Sequence, residues 1–194
     1  KGKESQNTPN GNESVQDKAV DAMEKSEHEI EQYFCKKPNL FKRKKMERQL
    51  PVGLFDEEKY GEKHAIFPAK HAAVDLWSVD EKFLYLYELK CPGNIPIGIF
   101  SELWFYSMFM NDVLREKFKA GQKQGKIEPH LKEIKSIGPK IIQSFFLVQR
   151  LHPALTYNKK DALNIVNSAL EKAKFCIKFD MLEYELNFVI KDPK

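Results

Sequence analysis

The segment Ala73-Val74-Asp75-Leu76-Trp77-Ser78-Val79-Asp80-Glu81-Lys82-Phe83-Leu84-Tyr85-Leu86-Tyr87-Glu88-Leu89-Lys90 decides how this chain folds. Two apolar runs, roughly 72–79 and 83–90, flank a short polar break, which is the pattern of a β-hairpin. Strands this hydrophobic are buried on both faces, where an unpaired carboxylate or ammonium is costly. The second strand nevertheless closes with Glu88 and Lys90, two residues apart and therefore on one face. With Glu81 and Lys82 as a two-residue turn, symmetric pairing sets Asp75 opposite Glu88. Directly opposed side chains stand about 5 Å apart at their β-carbons. Two acids and a lysine gathered at the end of a buried sheet read as a metal site.

Working outward, Cys91-Pro92-Gly93-Asn94-Ile95-Pro96 forms a loop, and a long apolar helix is expected from about Ile97 to Lys119. Its apolar residues occupy most of its circumference, so it should lie buried on the sheet, with its many aromatic residues serving as core. The stretch 120–140 is polar, basic and interrupted by glycine and proline, and reads as a loop. A buried strand follows over Ile141 to Leu151, then an amphipathic helix over Asp161 to Lys174 and one or two closing strands over Phe175 to Ile190. Before the hairpin, a helix is expected from about Asp17 to Lys37, with Val20, Met23, Ile30 and Phe34 as its apolar stripe and Glu27 as the one acid on it. Weak strand candidates are Gln49 to Phe55 and Ala65 to Pro68. Residues 1–16 are polar and read as a flexible tail, leaving 17–194 as a single domain. The expected class is α/β, with a mixed central β-sheet flanked by helices on both faces.

A composition of 42% hydrophobic and 31% charged residues fits a globular chain, and no apolar run is long enough to span a bilayer. No membrane partner is expected. Cys35, Cys91 and Cys176 lie far apart in the sequence, so reduced thiols and a cytoplasmic setting are the expectation, with Cys176 a small core residue. The opening Lys1-Gly2-Lys3-Glu4-Ser5 lacks a signal-peptide pattern. His64, His71, His130 and His152 show no ligand spacing, and neither a G-x-S-x-G elbow nor a glycine-rich phosphate loop is present.

Mg²⁺ prefers oxygen ligands and is held by one or two protein carboxylates, with waters and substrate phosphates completing its shell. Asp75 and Glu88 meet that requirement, and the backbone carbonyl of Leu89 adds a third oxygen. Lys90 beside them is suited to orienting a water or neutralising charge on a phosphate.

Asp75, a spacer of twelve residues and then Glu88-Leu89-Lys90 resembles the signature of the PD-(D/E)xK nuclease superfamily, which includes many restriction endonucleases and Holliday-junction resolvases. The resemblance spans about residues 17–150. It implies a restriction-endonuclease-like core and a nuclease that hydrolyses phosphodiester bonds with Mg²⁺ (or Mn²⁺), DNA being the first candidate substrate. It assigns Asp75 and Glu88 as metal ligands and Lys90 as the water-positioning base or electrostatic stabiliser. Many members place a further acid on the helix before the sheet; Glu27 is the candidate ligand here, with Glu31 and Glu24 as substitutes. Some members carry Gln and Tyr four apart on the helix after the lysine strand, where this chain has Glu102 and Tyr106. Val74 stands where the motif has proline.

The net charge of +4 does not by itself argue for nucleic acid. The basic run containing Lys42, Arg43, Lys44, Lys45 and Arg48 is the candidate phosphate-tracking surface. Lys119, Lys123, Lys126, Lys132, Lys135 and Lys140 form a more diffuse second region. A homodimer suits double-strand cleavage. The alternative function is a catalytically inactive nuclease-like fold that serves as a nucleic-acid-binding or protein-interaction module.

Overall fold

The hairpin closes as its pattern requires. In the computed structural model, which describes residues 26–52, 72–91, 98–117, 128–149, 159–185 and 190–191, its strands are β2 (Ala73–Val79) and β3 (Phe83–Leu89). The N–H of Asp80 donates to the Phe83 carbonyl at 2.9 Å, leaving Glu81 and Lys82 at the tip. The Asp80 carboxylate also accepts the N–H groups of Lys82 and Phe83 at 2.9 and 2.8 Å, the local bonding that makes Asp a turn residue.

Around it the described elements are α1 (Glu27–Cys35), a 3-10 turn (Pro38–Phe41), β1 (Glu47–Pro51), α2 (Ile99–Leu114), α3 (Glu128–Ile137), β4 (Ile141–Val148), α4 (Lys159–Lys172), β5 (Ile177–Tyr184) and β6 (Ile190–Lys191). The strands form one six-stranded sheet in chain order. β1, β2 and β3 pair antiparallel, β3, β4 and β5 parallel, and β5 and β6 antiparallel. Parallel neighbours need a crossover, and helices occupy both crossovers: α2 and α3 between β3 and β4, and α4 between β4 and β5.

The period of two along β3 divides the core. Leu84 and Leu86 face one layer, with Leu103, Met110 and Val113 of α2, Ile134 of α3 and Leu170 of α4. Tyr85, Tyr87 and Leu89 face the other, with Ile30 and Phe34 of α1 and Phe41. The chain is therefore α/β, with a mixed sheet covered by helices on both faces. The aromatic residues of α2 are core: Phe100 stacks on Phe146 and Trp104 on Phe179, with centroids 5.0 and 5.4 Å apart.

Several boundaries differ from the sequence expectation. The first described helix begins at Glu27, where Ser26 is an extended N-cap whose capping box with Glu29 satisfies the N–H groups of both residues; residues 17–25 of the expected helix lie outside the described residues. Val20, Met23, the 1–16 tail and the strand candidate at 65–68 lie outside the described residues. β1 starts two residues earlier than expected. α2 stops at Leu114, where Glu116 takes a left-handed φ of 56°. Part of the expected 120–140 loop is α3, which buries Leu131 and Ile134; Pro129 sits in its first turn, where no backbone N–H is needed. Cys176 is exposed rather than core, because it precedes β5 and the strand's burial begins at Ile177.

Candidate active site

The paired register of the hairpin runs from Val79 opposite Leu84 to Leu76 opposite Tyr87, and one further step of the same count sets Asp75 across from Glu88. At that step the backbone ladder gives way to a side chain. The Lys90 N–H donates to Leu147 of β4 at 3.0 Å, so alternation turns the N–H and C=O of Leu89 toward β2. There the Leu89 N–H donates to Asp75 Oδ2 at 2.8 Å. The Leu89 carbonyl, proposed as a ligand from sequence, points to the same side.

The strand geometry explains why Asp75 reaches sideways. Val74 packs into the α2 layer, Leu76 into the α1 layer and Trp77 into the α2 layer again, so the alternation of faces breaks at position 75. On β1, Arg48 pairs with Leu76 and Leu50 with Val74, which leaves Gln49 across from Asp75. Gln49 has a left-handed φ of 53°, a conformation that costs a non-glycine residue on the order of 1 kcal/mol. Both strands are thus kinked at one level. The Gln49 side chain donates from Nε2 to Glu31 Oε1 at 3.0 Å, tying the kink to α1.

Glu88 is 3% exposed. Its Oε1 accepts from Lys90 Nζ at 2.7 Å, while its Oε2 is buried with no hydrogen-bond partner among the described residues. Lys90 Nζ also lies 3.3 Å from Oε2 of Glu102, which is in the first turn of α2. The backbone of Lys90 is held on a second side, since the Tyr184 hydroxyl donates to its carbonyl at 2.8 Å. Tyr106, one turn beyond Glu102, is 8% exposed.

Crowding of negative charge in a dry setting sets the electrostatics. Burial raises the Asp75 carboxyl to about 7, against the lowering effect of the Leu89 N–H and Lys90 and with a further push from Glu31 and Glu27. Glu88 is raised well above its ordinary range, first by burial and then by the charge of Asp75. Burial works against the charged form of Lys90, but Glu88, Asp75 and Glu102 outweigh it and hold the ammonium above its usual range. Burial and the neighbouring acids Glu88, Glu102 and Asp75 raise the Tyr106 phenol as well.

Asp75, Glu88, Leu89 and Lys90 therefore come together as expected. The acid on the first helix is divided between two residues. Glu27 is half-buried and its Oε1 accepts the Cys91 N–H at 3.3 Å, bracing the chain as it leaves β3. Glu31 is the fully buried one, at 4% exposure; its Oε2 makes no hydrogen bond among the described residues and lies 3.6 Å from Arg48 Nε. Among the described residues, no group of three or more His, Cys, Asp or Glu side chains gathers closely enough to hold a metal ion by itself. The available donor set is two carboxylates and a carbonyl, with an orphaned buried oxygen on Glu88, which fits a Mg²⁺ that keeps most of its waters.

The basic run contributes mainly to the fold. The Arg43 guanidinium lies 3.4 Å from the Tyr85 ring centroid and donates to the Tyr87 hydroxyl. Lys45 pairs with Glu47 and Glu133 at 2.6 and 3.3 Å, and Arg48 binds Glu31 and His28. Lys42 and Lys44 are exposed. Gln49 and Tyr184 carry no sequence signal, since their contacts depend on strands distant in the chain. Glu102 was visible only as a departure from a Gln.

No protein-family model matches this chain, and neither a curated protein nor a solved structure matches it. No helix among the described residues is long and apolar enough to cross a membrane.

Proposed function

We propose that this chain is a Mg²⁺-dependent (or Mn²⁺-dependent) nuclease of restriction-endonuclease-like fold that hydrolyses phosphodiester bonds in nucleic acid, DNA first. One observation carries this reading: the buried Glu88 carboxylate has an oxygen with no hydrogen-bond partner among the described residues, beside Asp75 at the matching ends of two paired strands. Lys90 satisfies only Oε1 of Glu88, and a buried carboxylate oxygen left without a donor or cation is costly. In this reading Asp75 and Glu88 hold the cation, with the Leu89 carbonyl as a third oxygen. When bound, the cation would stabilise charge on a phosphoryl oxygen and make water a better nucleophile. The Leu89 N–H fixes the orientation of the Asp75 carboxylate. Lys90, held in its charged form, is suited to orienting water and stabilising negative charge rather than to abstracting a proton. The exposed Lys42 and Lys44 are candidates for phosphate contacts.

A second reading, a binding or interaction module without catalysis, is favoured by the closed Lys90–Glu88 ion pair and by the lack of a third gathered carboxylate among the described residues. Incubation of supercoiled plasmid with purified protein and Mg²⁺ or Mn²⁺ separates the two. Nicking or linearisation that disappears in Asp75→Asn, Glu88→Gln and Lys90→Ala, with circular dichroism unchanged, supports the nuclease. Cleavage that survives in all three variants, or calorimetry showing no divalent binding to the unaltered protein, rejects it.

A further inference from the structure

Lys90 is shared between two carboxylates of different character. Glu88 is buried and lies on the same strand. Glu102 reaches in from α2 with its side chain 50% exposed. The Lys90 backbone is fixed through Leu147 and Tyr184, so only the side chain is free to choose between them. Any cation taken up at Asp75 and Glu88 competes with the ammonium for Glu88 and repels it. A lysine on a flexible four-carbon stem would then swing into water unless a second anion retained it. Glu102 is already 3.3 Å away, and reaching it requires no movement of β3. A neutral glutamine at this position would offer a carbonyl oxygen without the charge.

We propose that Glu102 is a positioning residue that retains the Lys90 ammonium at the site when Glu88 turns to a divalent cation. The inference rests on the cation-binding reading above, but its first test does not.

Glu88→Gln removes the competing carboxylate charge without any metal. In chelator, this variant sets the reference rate of Lys90 acetylation, read by mass spectrometry. That rate should rise roughly fivefold or more in Glu88→Gln/Glu102→Gln, the factor matching an ion pair worth about 1 kcal/mol. Glu102→Asp in the Glu88→Gln background should restore part of the protection. Equal exposure of Lys90 in Glu88→Gln and in the double variant overturns the proposal. The second test is Mn²⁺ calorimetry. Glu102→Gln should weaken binding roughly three- to fivefold when Lys90 is present, and leave it unchanged in a Lys90→Met background. The same loss in both backgrounds means that Glu102 acts on the cation directly, which also overturns the proposal. If the unaltered protein binds no Mn²⁺, the cation reading fails, and the acetylation result decides the role of Glu102 alone.

Discussion

Replacing Asp75 by Asn should make the metal-free protein more stable at pH 8 while removing any capacity to bind a divalent cation. The carboxyl is raised from its ordinary 3.8 to about 7 by burial, with Glu31 and Glu27 adding to the push. That gap is worth about 4 kcal/mol, at about 1.4 kcal/mol for each tenfold change in proton affinity. The sign follows from proton counting. Between pH 4 and 7 the folded protein holds a proton on Asp75 that the unfolded chain has released, so stability falls as pH rises through that window. Asn cannot ionise and escapes this loss. It remains an acceptor for the Leu89 N–H, but a neutral one, which gives back about 1 kcal/mol. The expected gain is therefore about 3 kcal/mol at pH 8, shrinking toward zero or slightly negative near pH 4. Urea unfolding of both proteins in chelator, from pH 4 to pH 8.5, measures it. Parallel curves for the two proteins, or an Asn variant that is the less stable at pH 8, would refute the reasoning, since Asp75 would then be well solvated or fully compensated.

Two further expectations concern the frame around the site. Tyr184→Phe removes the hydroxyl that holds the Lys90 carbonyl at 2.8 Å; it should cost about 1–2 kcal/mol in urea unfolding and speed amide exchange at Lys90 and Cys91, whereas unchanged exchange would mean that the contact does not hold the strand end. Ser26→Ala breaks the capping box with Glu29 and should cost about 1 kcal/mol, lowering the melting temperature by about 2–4 °C in a chain of this size, while Ser26→Asp should leave it nearly unchanged.

The hairpin was legible in the sequence because its signals are local. Alternation between two layers, a polar two-residue tip and charges at matching ends fix which residues face each other, and Asp75 follows from counting back from the turn. α3 was not legible, because its buried face is chiefly Leu131 and Ile134 within a basic stretch, and proline and glycine at its borders outweighed that short signal. Cys176 misled for a related reason: apolar neighbours in sequence do not share burial at the position where a strand begins. The first helix followed the apolar stripe of Ile30 and Phe34, and Ser26 caps its described start.

The sequence by itself determined the α/β class, from the order of periodic segments along the chain, and also the register of β2 and β3 and the meeting of Asp75, Glu88 and Lys90, which depend on spacing within one short stretch. Tertiary structure alone decided how those groups are held. The paired kink at Gln49 and Asp75, the burial of Glu31, the brace from Glu27 to Cys91, the anchor from Tyr184 and the ion pair of Glu102 with Lys90 join residues from different elements. Such contacts arise only when α1, β1, β5 and α2 pack onto the same end of the sheet. Burial there raises the acids and holds the lysine charged, because a carboxylate or ammonium responds to the water it has lost and to the charges brought beside it.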